Sequence, residues 1–502
     1  MMWAVALILV FLSCGILAWR RRNRNKDEPP PLPGALPLIG HIHLLLGNSS
    51  QLWNTAKKVC YSSLNAGGVI ISVYIGPRTT YFVTDPEDCL TVTNTCLEKD
   101  GFYNFGKPWF GDGLITADVQ TWKVHRKLLN PAFNQSILDG FMDVLNEQAR
   151  RLVKNLEVEV DKGPFDHFAY ILLNVLETTC LTVMKVDFSD ESLLNCEYVH
   201  AAEDMFKYLI ERIQKPWLYS DVVFNWSFLK RKQDECLKIL HNMSNTVLKK
   251  RKTEYLNNKQ YKEIEGTTKG AKFRPFMDLL LELAIEKGAF NDRQIREHVD
   301  TMLVAGHDTT ATVLMYTMLL VGSYPEVQQK IFEELHDVFG DEDRDVTKQD
   351  LSQLVYLEAV LKESMRFYPI GPFTIRNLDQ DVKIRNCTLS KGRTCYLWFY
   401  GVHRHSMWGP DVEAFKPERW LDPKTLPKYL SAFAAFGMGK RSCIGKTYAM
   451  MSLKITLAQA LAHVFRRYRV SGNHLLMTTK MDVLLKPVSG HHVTIEMRQN
   501  NQ

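Results

Sequence analysis

Hydrophobic residues recur at helical spacing over most of the chain and alternate with polar residues over a few short stretches. Branched and aromatic residues flank Gly76 and Pro77 within residues 69–85, which is the pattern of a β-hairpin. From about residue 86 to residue 367 the spacing is mostly helical, and the last third mixes short strands with loops. The pattern predicts a mostly α protein with small β-sheets, an α+β fold without internal repeats.

Two of the predicted helices matter most for function. Residues 291–324 begin with the polar pair Asn291 and Asp292, a helix-start signal, and run without proline until Pro325. At about 1.5 Å per residue this helix is roughly 45–50 Å long, enough to cross the middle of a large domain. A second helix, over residues 351–368, ends at a proline.

The N-terminal residues 1–19 form an uncharged apolar run, and the basic segment 20–26 follows it directly. As a helix this run spans about 28 Å, enough for the hydrocarbon core of a bilayer. A cleaved signal peptide carries its charges before the apolar run, so we expect a single membrane anchor with the remaining chain in the cytosol. Residues 20–40, basic and rich in proline, predict a stiff linker.

Composition narrows the class of protein. A net charge of +6 over 502 residues is too small for a nucleic-acid-binding protein, which needs a concentrated basic surface. A hydrophobic content of 45% excludes general disorder. The ten cysteines are scattered without a C-x-x-C pair, which argues against a zinc ribbon or a thioredoxin-like site.

One cysteine lies in an unusual setting. The stretch F-x-x-G-x-R-x-C-x-G contains Phe436, Gly439, Arg441, Cys443 and Gly445. Glycines let a backbone come close to a flat cofactor, and backbone N–H groups near a sulfur stabilise the thiolate that binds a metal. An inert buried thiol explains neither the glycines nor the cation. The pattern therefore favours a thiolate with a function.

With this motif the chain resembles the cytochrome P450 family of haem-thiolate monooxygenases over nearly its whole length. The resemblance implies the cytochrome P450 fold, with residues 41–502 as one large catalytic haem domain behind the anchor. It makes Cys443 the proximal ligand of the haem iron, with Phe436 shielding the sulfur and Arg441 pairing with a haem propionate.

Three further residues match haem contacts of the family. Trp122 and Arg126 in "WKVHR" correspond to residues that reach the propionates, and Arg376 in "GPFTIR" corresponds to another propionate ligand. Arginines suit this task because they form charge-assisted hydrogen bonds with carboxylates. A buried tryptophan on an amphipathic helix remains the alternative reading of the first pair.

The sequence "ESMR" places Glu363 and Arg366 three residues apart on one helix face. The same spacing occurs in "EQAR", which contains Glu147 and Arg150, so the motif alone indicates only a surface ion pair. In the family a Glu-Arg-Arg triad stabilises the fold near the haem cysteine, and "FKPERW" supplies Arg419 as the third member. We assign Glu363, Arg366 and Arg419 to stability rather than to chemistry.

The sequence "AGHDTT", residues 305–310, lies inside the long predicted helix. Gly306 costs about 1 kcal/mol there relative to alanine, and Thr309 and Thr310 are poor helix formers. Local rules broken within a helix indicate a site. The resemblance implies that this helix crosses the distal face of the haem and that Asp308 and Thr309 relay protons during dioxygen activation.

Two stretches, "KPWLYSDVVF" and "FMDLLLELA", are similar to the microsomal family 4 clan, especially to its insect members. Vertebrate members of that clan often carry a glutamate, esterified to the haem, where this chain has Ala305. This departure predicts that haem b (iron protoporphyrin IX) is bound non-covalently. It also weakens the case for fatty-acid ω-hydroxylation.

The resemblance implies a monooxygenase of the endoplasmic reticulum membrane that uses O₂ and NADPH-derived electrons. NADPH-cytochrome P450 reductase is the expected partner, and cytochrome b5 is a further candidate. Apolar residues in segments 102–115, 206–228, 370–375 and 478–483 predict a pocket for a lipophilic fatty acid, hydrocarbon, odorant, hormone or xenobiotic. Four lysines that form either a proximal cationic surface or ordinary solvated positions are Lys123, Lys127, Lys440 and Lys446.

Two other classes of protein stay open as alternatives. One is a haem-thiolate isomerase or dehydratase that acts on peroxides without O₂, and such proteins usually lack the acid–threonine pair. The other is a haem protein that only binds or senses a ligand, which needs neither a reductase nor a proton relay. NADPH consumption that depends on a reductase separates this second class from a monooxygenase.

Overall fold

The computed structural model describes residues 27–37, 39–76, 78–186, 196–265 and 275–497, together with residues 11, 14 and 15. Across these residues the chain is mostly helical with small sheets, which confirms the predicted fold class. The predicted anchor, residues 1–19, lies almost wholly outside the described residues and stays a prediction.

Helices occupy most of residues 49–367, and the strands lie at residues 71–83 and within residues 374–497. The helices are α1 (Ser49–Asn65), α2 (Pro86–Thr95), α3 (Lys107–Phe110), α4 (Val119–Leu129), α5 (Gln135–Asp139), α6 (Met142–Glu157), α7 (His167–Met184), α8 (Cys196–Gln214), α9 (Asp221–Asn225), α10 (Phe228–Glu265), α11 (Phe276–Ile285), α12 (Asp292–Ser323), α13 (Pro325–Phe339), α14 (Lys348–Gln353), α15 (Val355–Phe367), α16 (Phe399–Val402) and α17 (Lys446–Arg467). The strands are β1 (Ile71–Ile75), β2 (Arg78–Val83), β3 (Thr374–Asn377), β4 (Val382–Lys383), β5 (Thr388–Leu389), β6 (Thr394–Leu397), β7 (Tyr468–Gly472), β8 (Thr478–Met481), β9 (Leu485–Ser489) and β10 (Val493–Met497).

The largest sheet in the described part of the chain has four strands in the order β1-β2-β6-β3. Strands β1 and β2 pair antiparallel, as the hairpin pattern predicts, and β6 joins β2 in parallel from the C-terminal third. Three two-stranded sheets pair β4 with β5, β7 with β10 and β8 with β9. The β8–β9 hairpin brings residues near the C-terminus back to the central helix, which matters for the site.

Helix α12 is the central element of the domain. Its 32 residues span about 48 Å, and a capping box between Asn291 and Gln294 satisfies the N–H groups at its start. It ends at Ser323, just before Pro325. The helix packs against α7, α15 and β7, and its side chains are buried almost throughout. The sequence prediction of one long helix through the domain is confirmed.

Two hydrophobic clusters meet along α12. The C-terminal half of the helix, with Leu314, packs in one cluster with α6, α15 and α17, including Leu361 of α15. The N-terminal half, with Val299, packs in a second cluster with α8, α10 and α11, including Leu280 of α11. The two clusters enclose the two halves of the helix, and the section between them lines a cavity.

Among the described residues, α7 (His167–Met184) is the one helix that is long and apolar enough to cross a bilayer, and 61% of it is buried within the protein. Its burial against α12 and α6 is that of a core helix. Helix α10 continues to Glu265. Residues 266–274 lie outside the described part.

Candidate active site

The loop that carries Cys443 is built from glycine turns. Gly439 has a φ of 65°, and an added Cβ there would lie 2.7 Å from the hydroxyl oxygen of Thr93, so only glycine fits. The backbone N–H of Cys443 donates to the carbonyl of Phe436 at 2.8 Å. Helix α17 begins three residues later, at Lys446. The loop therefore holds the thiol at the N-terminal end of a long helix.

The surroundings of the Cys443 sulfur act on its charge in opposite directions. Burial raises the pKa of the thiol, while the backbone N–H of Gly445 and the charges of Arg126 and Lys446 lower it. The cysteine is enclosed by the protein but accessible from a cavity. A cation bound at the sulfur would add to the groups that stabilise the thiolate.

A cavity of about 300 Å³ separates the cysteine loop from α12. Residues Phe436, Cys443 and Gly445 lie on one side of it, and Ala305, Gly306 and Thr309 lie on the other. Its walls are almost entirely apolar. The cavity therefore places a single thiol, that of Cys443, opposite the threonine-bearing middle of a helix.

A second cavity of about 360 Å³ continues from the same part of α12. Ala305, Thr309 and Leu484 line both cavities. The second cavity extends between the large sheet, α8 and the β8–β9 hairpin, and its aromatic walls include Phe102 and Phe206. All four segments predicted to form a pocket contribute residues to one or both of these cavities.

The residues that are unusual inside a helix occur in the middle of α12 for different structural reasons. A Cβ on Gly306 would lie 3.0 Å from the Thr179 methyl group, so this glycine allows α7 to approach closely. The Thr309 hydroxyl donates to the Ala305 carbonyl at 2.6 Å and faces both cavities. Asp308 lines the second cavity and forms an ion pair with Lys486 of β9.

Three cations form a group that we call the cation cluster: the buried Arg376 and the half-buried Lys99 and Arg441. Lys99 pairs with Arg376 across a β-bridge, and its ammonium donates to the Ile115 carbonyl at 2.6 Å. Arg441 lies over the ring of Trp122, 4.5 Å from the ring centroid.

The cation cluster has no negative charge of its own. Among the described residues, none of its three members forms an ion pair, and the Nε atoms of Arg376 and Arg441 are buried without a hydrogen-bond partner. Burial and the neighbouring Arg376 lower the pKa of Arg441 to about 10. Burial, followed by Arg376 and Arg441, holds the pKa of Lys99 well below its ordinary value. Buried cations without an anion are costly, so this arrangement fits an anionic ligand.

Arg126 contacts the cysteine loop. Its guanidinium donates to the carbonyl of Ser442 and to the Asn130 side chain, each at 2.9 Å. It therefore braces the loop next to Cys443, whereas Trp122 lies under the Arg441 guanidinium of the cation cluster. Lys99 was not predicted from the sequence, because a lone lysine in "LEKDGF" belongs to no recognisable motif.

The residues present fit a haem. One thiolate suits the axial position of its iron, the narrow apolar cavity suits its flat ring, and the unpaired cations suit its two propionates. Ala305 brings no carboxylate to the cavity wall, so the side chain at this position cannot form an ester with the ring.

The structure also brings the predicted triad together. Arg366 donates to the two carboxylate oxygens of Glu363 at 2.8 and 2.9 Å, and Arg419 donates to one of them at 3.0 Å. Glu363 and Arg366 are fully buried, and Arg419 is 2% exposed. Arg366 also donates to the carbonyls of Val412 and Ala414, so the triad ties α15 to the segment that leads to the cysteine loop.

The fold and this site together define a haem-binding oxidoreductase with a thiolate ligand. The family model for Cytochrome P450 matches residues 29–493. The chain belongs to the cytochrome P450 family and is a monooxygenase, which confirms the resemblance drawn from the sequence.

The similar proteins are members of cytochrome P450 family 4. Cytochrome P450 4V2 of Homo sapiens is 31% identical over 507 residues, which cover 99% of this chain and 95% of that protein. Cytochrome P450 4c3 of Drosophila melanogaster is 30% identical over 517 residues, covering 98% and 95%. Probable cytochrome P450 4s3 of Drosophila melanogaster is 34% identical over 445 residues, covering 87% and 86%. Similarity to insect members was predicted from the sequence and is confirmed.

Proposed function

We propose that this protein inserts one oxygen atom of O₂ into a lipophilic small molecule, with electrons from NADPH delivered by NADPH-cytochrome P450 reductase. The observation that carries this proposal is the position of Cys443 opposite Thr309 across an apolar cavity that continues into a second one. Haem b, bound non-covalently with Cys443 as its ligand, would supply dioxygen binding and reductive O–O cleavage.

The chain's own residues have three tasks in this reaction. The glycine turns and the Gly445 N–H hold the Cys443 sulfur in the place where a bound iron would keep it as a thiolate. The apolar second cavity binds the substrate and excludes water from it. Asp308 and the Thr309 hydroxyl move protons from water toward the reacting oxygen, since a carboxylate and a hydroxyl can each accept and pass on a proton.

Electrons would enter on the side of the cysteine loop. Four exposed lysines lie there, on α4 and around Cys443: Lys123, Lys127, Lys440 and Lys446. A cationic surface next to the sulfur attracts an acidic redox partner. This supports docking of the reductase, with cytochrome b5 as a further candidate donor.

The uncharged residues 1–19 and the basic segment after them support a single anchor in the endoplasmic reticulum membrane with the catalytic domain in the cytosol. In sealed microsomes, added protease should digest the domain without detergent. Protection of the domain from protease would contradict this topology.

The haem assignment is tested by the spectrum of the reduced, CO-bound protein, which should show the red-shifted Soret band of thiolate ligation. Cys443→Ala should lose this band, and Cys387→Ala, at a half-buried cysteine elsewhere, should keep it. Haem should leave the chain in acidic organic solvent, because Ala305 offers no carboxylate. A Cys443→Ala protein with an unchanged band would overturn the assignment.

The proton relay is tested with Thr309→Ala. This variant should bind haem and consume NADPH, but more electrons should end in hydrogen peroxide and less product should form per NADPH. Thr317→Ala removes a buried hydroxyl from the same helix outside both cavities and serves as the control. A lower melting temperature with unchanged product per NADPH would instead show that Thr309 only packs, and would favour the peroxide isomerase.

A further inference from the structure

The carboxylate of Asp308 contacts a second charged group, the ammonium of Lys486. Lys486, on strand β9, donates its ammonium to this carboxylate and lies 3.3 Å from the hydroxyl of Thr312, one helical turn further along α12. The ammonium also lies 5.1 Å from the centre of the Phe168 ring on α7. Lys486 therefore holds strand β9 against α12 and α7 through an ion pair, a hydroxyl and an aromatic ring.

This ion pair is largely shielded from water. The side chain of Asp308 is 8% exposed and that of Lys486 is 17% exposed. At such burial a charged side chain is costly unless it contacts a partner of opposite charge, and the contact fixes both side chains in place. Lys486 thus determines where the Asp308 oxygens lie.

The strand that carries Lys486 also reaches the cavities. Residues 481–484, in and next to the turn between β8 and β9, line the second cavity, and Leu484 lines both. Asp308 lines the second cavity as well, and Thr309, its neighbour in the chain, lines both. A single hairpin therefore lines the cavities at its turn and contacts Asp308 two residues further along.

We propose that Lys486 is a positioning residue for proton delivery, holding the Asp308 carboxylate in place so that it can pass protons to Thr309. This role rests on the proposed monooxygenase function, because it has no meaning without a proton-consuming reduction of O₂. Lys486 itself lines neither of the two cavities. Its effect on the reaction passes through Asp308.

The decisive experiment is a double-mutant cycle with Lys486→Met and Asp308→Asn in the full-length protein. Product, peroxide and NADPH are measured with reductase and with the compound of a lipophilic panel that gives the largest binding spectrum. Lys486→Met should lower product per NADPH several-fold and raise peroxide, and it should leave the compound's dissociation constant within about twofold. In the Asp308→Asn background the same substitution should change nothing further.

Two further variants complete the test. Lys486→Arg keeps the charge and should restore most of the product per NADPH. Lys252→Met removes a lysine whose ion-pair partner, Asp292 at 2.7 Å, lies at the start of α12 outside both cavities, and it should behave like the wild type. The same cycle measured on the melting temperature of the haem-free protein should be non-additive, which reports the ion pair independently of turnover.

The outcomes separate the two proposals. If the wild type forms product and Lys486→Met forms as much per NADPH, the positioning role is wrong even if the variant melts at a lower temperature. An equal loss in the Asp308→Asn background also contradicts it, since the lysine would then act by another route. If the wild type forms no product from any compound of the panel, the monooxygenase proposal itself fails and the role of Lys486 falls with it.

Discussion

Two groups of buried and half-buried cations in this domain differ in which groups contact their charges. In the triad, Arg366 and Arg419 share the carboxylate of Glu363 at 2.8 to 3.0 Å. Burial alone would raise the pKa of Glu363, but Arg366 and Arg419 lower it. In the cation cluster, Lys99, Arg376 and Arg441 contact carbonyl and hydroxyl oxygens, and two guanidinium Nε atoms lack any partner within the described chain.

The difference shows which group serves the fold and which serves a ligand. A buried charge in contact with its counter-charge is largely compensated, whereas a buried charge left without a partner destabilises the fold by about 3–5 kcal/mol. In the absence of an anion, the unpaired charges of the cation cluster destabilise the folded chain. The triad should therefore stabilise the protein with or without haem, and the cation cluster should stabilise it only with haem.

The largest effect should come from removing the shared carboxylate of the triad. Glu363→Gln keeps the shape but leaves Arg366 and Arg419 buried without an anion, at a cost of about 3–5 kcal/mol. We expect a large fall in the urea midpoint of both the haem-free and the haem-loaded protein, with little soluble material recovered. A variant that folds normally and loses only haem would place the triad with the ligand instead.

Removing a charge from the cation cluster should have effects of opposite sign in the two forms. Arg441→Leu should speed haem loss to excess apomyoglobin by about 10- to 100-fold, the value of one or two charge-assisted hydrogen bonds. The haem-free variant should unfold at the same or a higher urea concentration, because its repulsion from Arg376 is gone.

The matched control for Arg441 is Arg126→Leu, whose guanidinium braces the carbonyl of Ser442. This variant should destabilise the loop in both forms. Destabilisation of the haem-free protein by Arg441→Leu would mean that this arginine, too, serves the fold.

Lys99 should show the cost of the cation cluster as a pH dependence. Its pKa in the folded protein lies below the ordinary value of 10.5, mainly through burial and then through Arg376 and Arg441. Between the folded pKa and 10.5 the unfolded chain binds more protons than the folded one, so the stability of the haem-free protein should rise with pH. Urea midpoints across this range should show the rise in the wild type and lose it in Lys99→Met. A wild type with a flat profile would contradict the assignment.

Local patterns were enough to predict the elements whose shape depends on neighbouring residues. The length of α12 follows from its capping residues and from the proline beyond its end, and the β1–β2 hairpin follows from alternation around a glycine turn. The glycines around Cys443 could be recognised because positive φ angles require them. Resemblance to the family then supplied the partners of that cysteine.

The residues that the sequence did not predict are those whose roles depend on contacts between distant parts of the chain. Lys486 lies 178 residues from Asp308, and the pairing becomes visible only once the β8–β9 hairpin folds back on α12. Lys99 joins Arg376 through a bridge between a loop and a strand edge. A single lysine carries no periodicity, so no local pattern could predict either contact. The described residues likewise leave the anchor of residues 1–19 as a prediction.

The smallest effect should come from the other E-x-x-R sequence, at Glu147 and Arg150. Here the arginine pairs with Asp343 at 2.6 Å and with Asp345 at 2.8 Å, and all three side chains are about one-third to two-thirds exposed. Arg150→Ala should therefore cost less than about 1 kcal/mol, because exposed ion pairs gain little in water. The loss should vanish in 1 M salt, where screening acts within about 3 Å, whereas the loss in Glu363→Gln should persist. Urea midpoints of the two variants at low and high salt measure this contrast. An Arg150→Ala loss as large as that of Glu363→Gln, and equally resistant to salt, would show that burial is not what separates two identical sequence patterns.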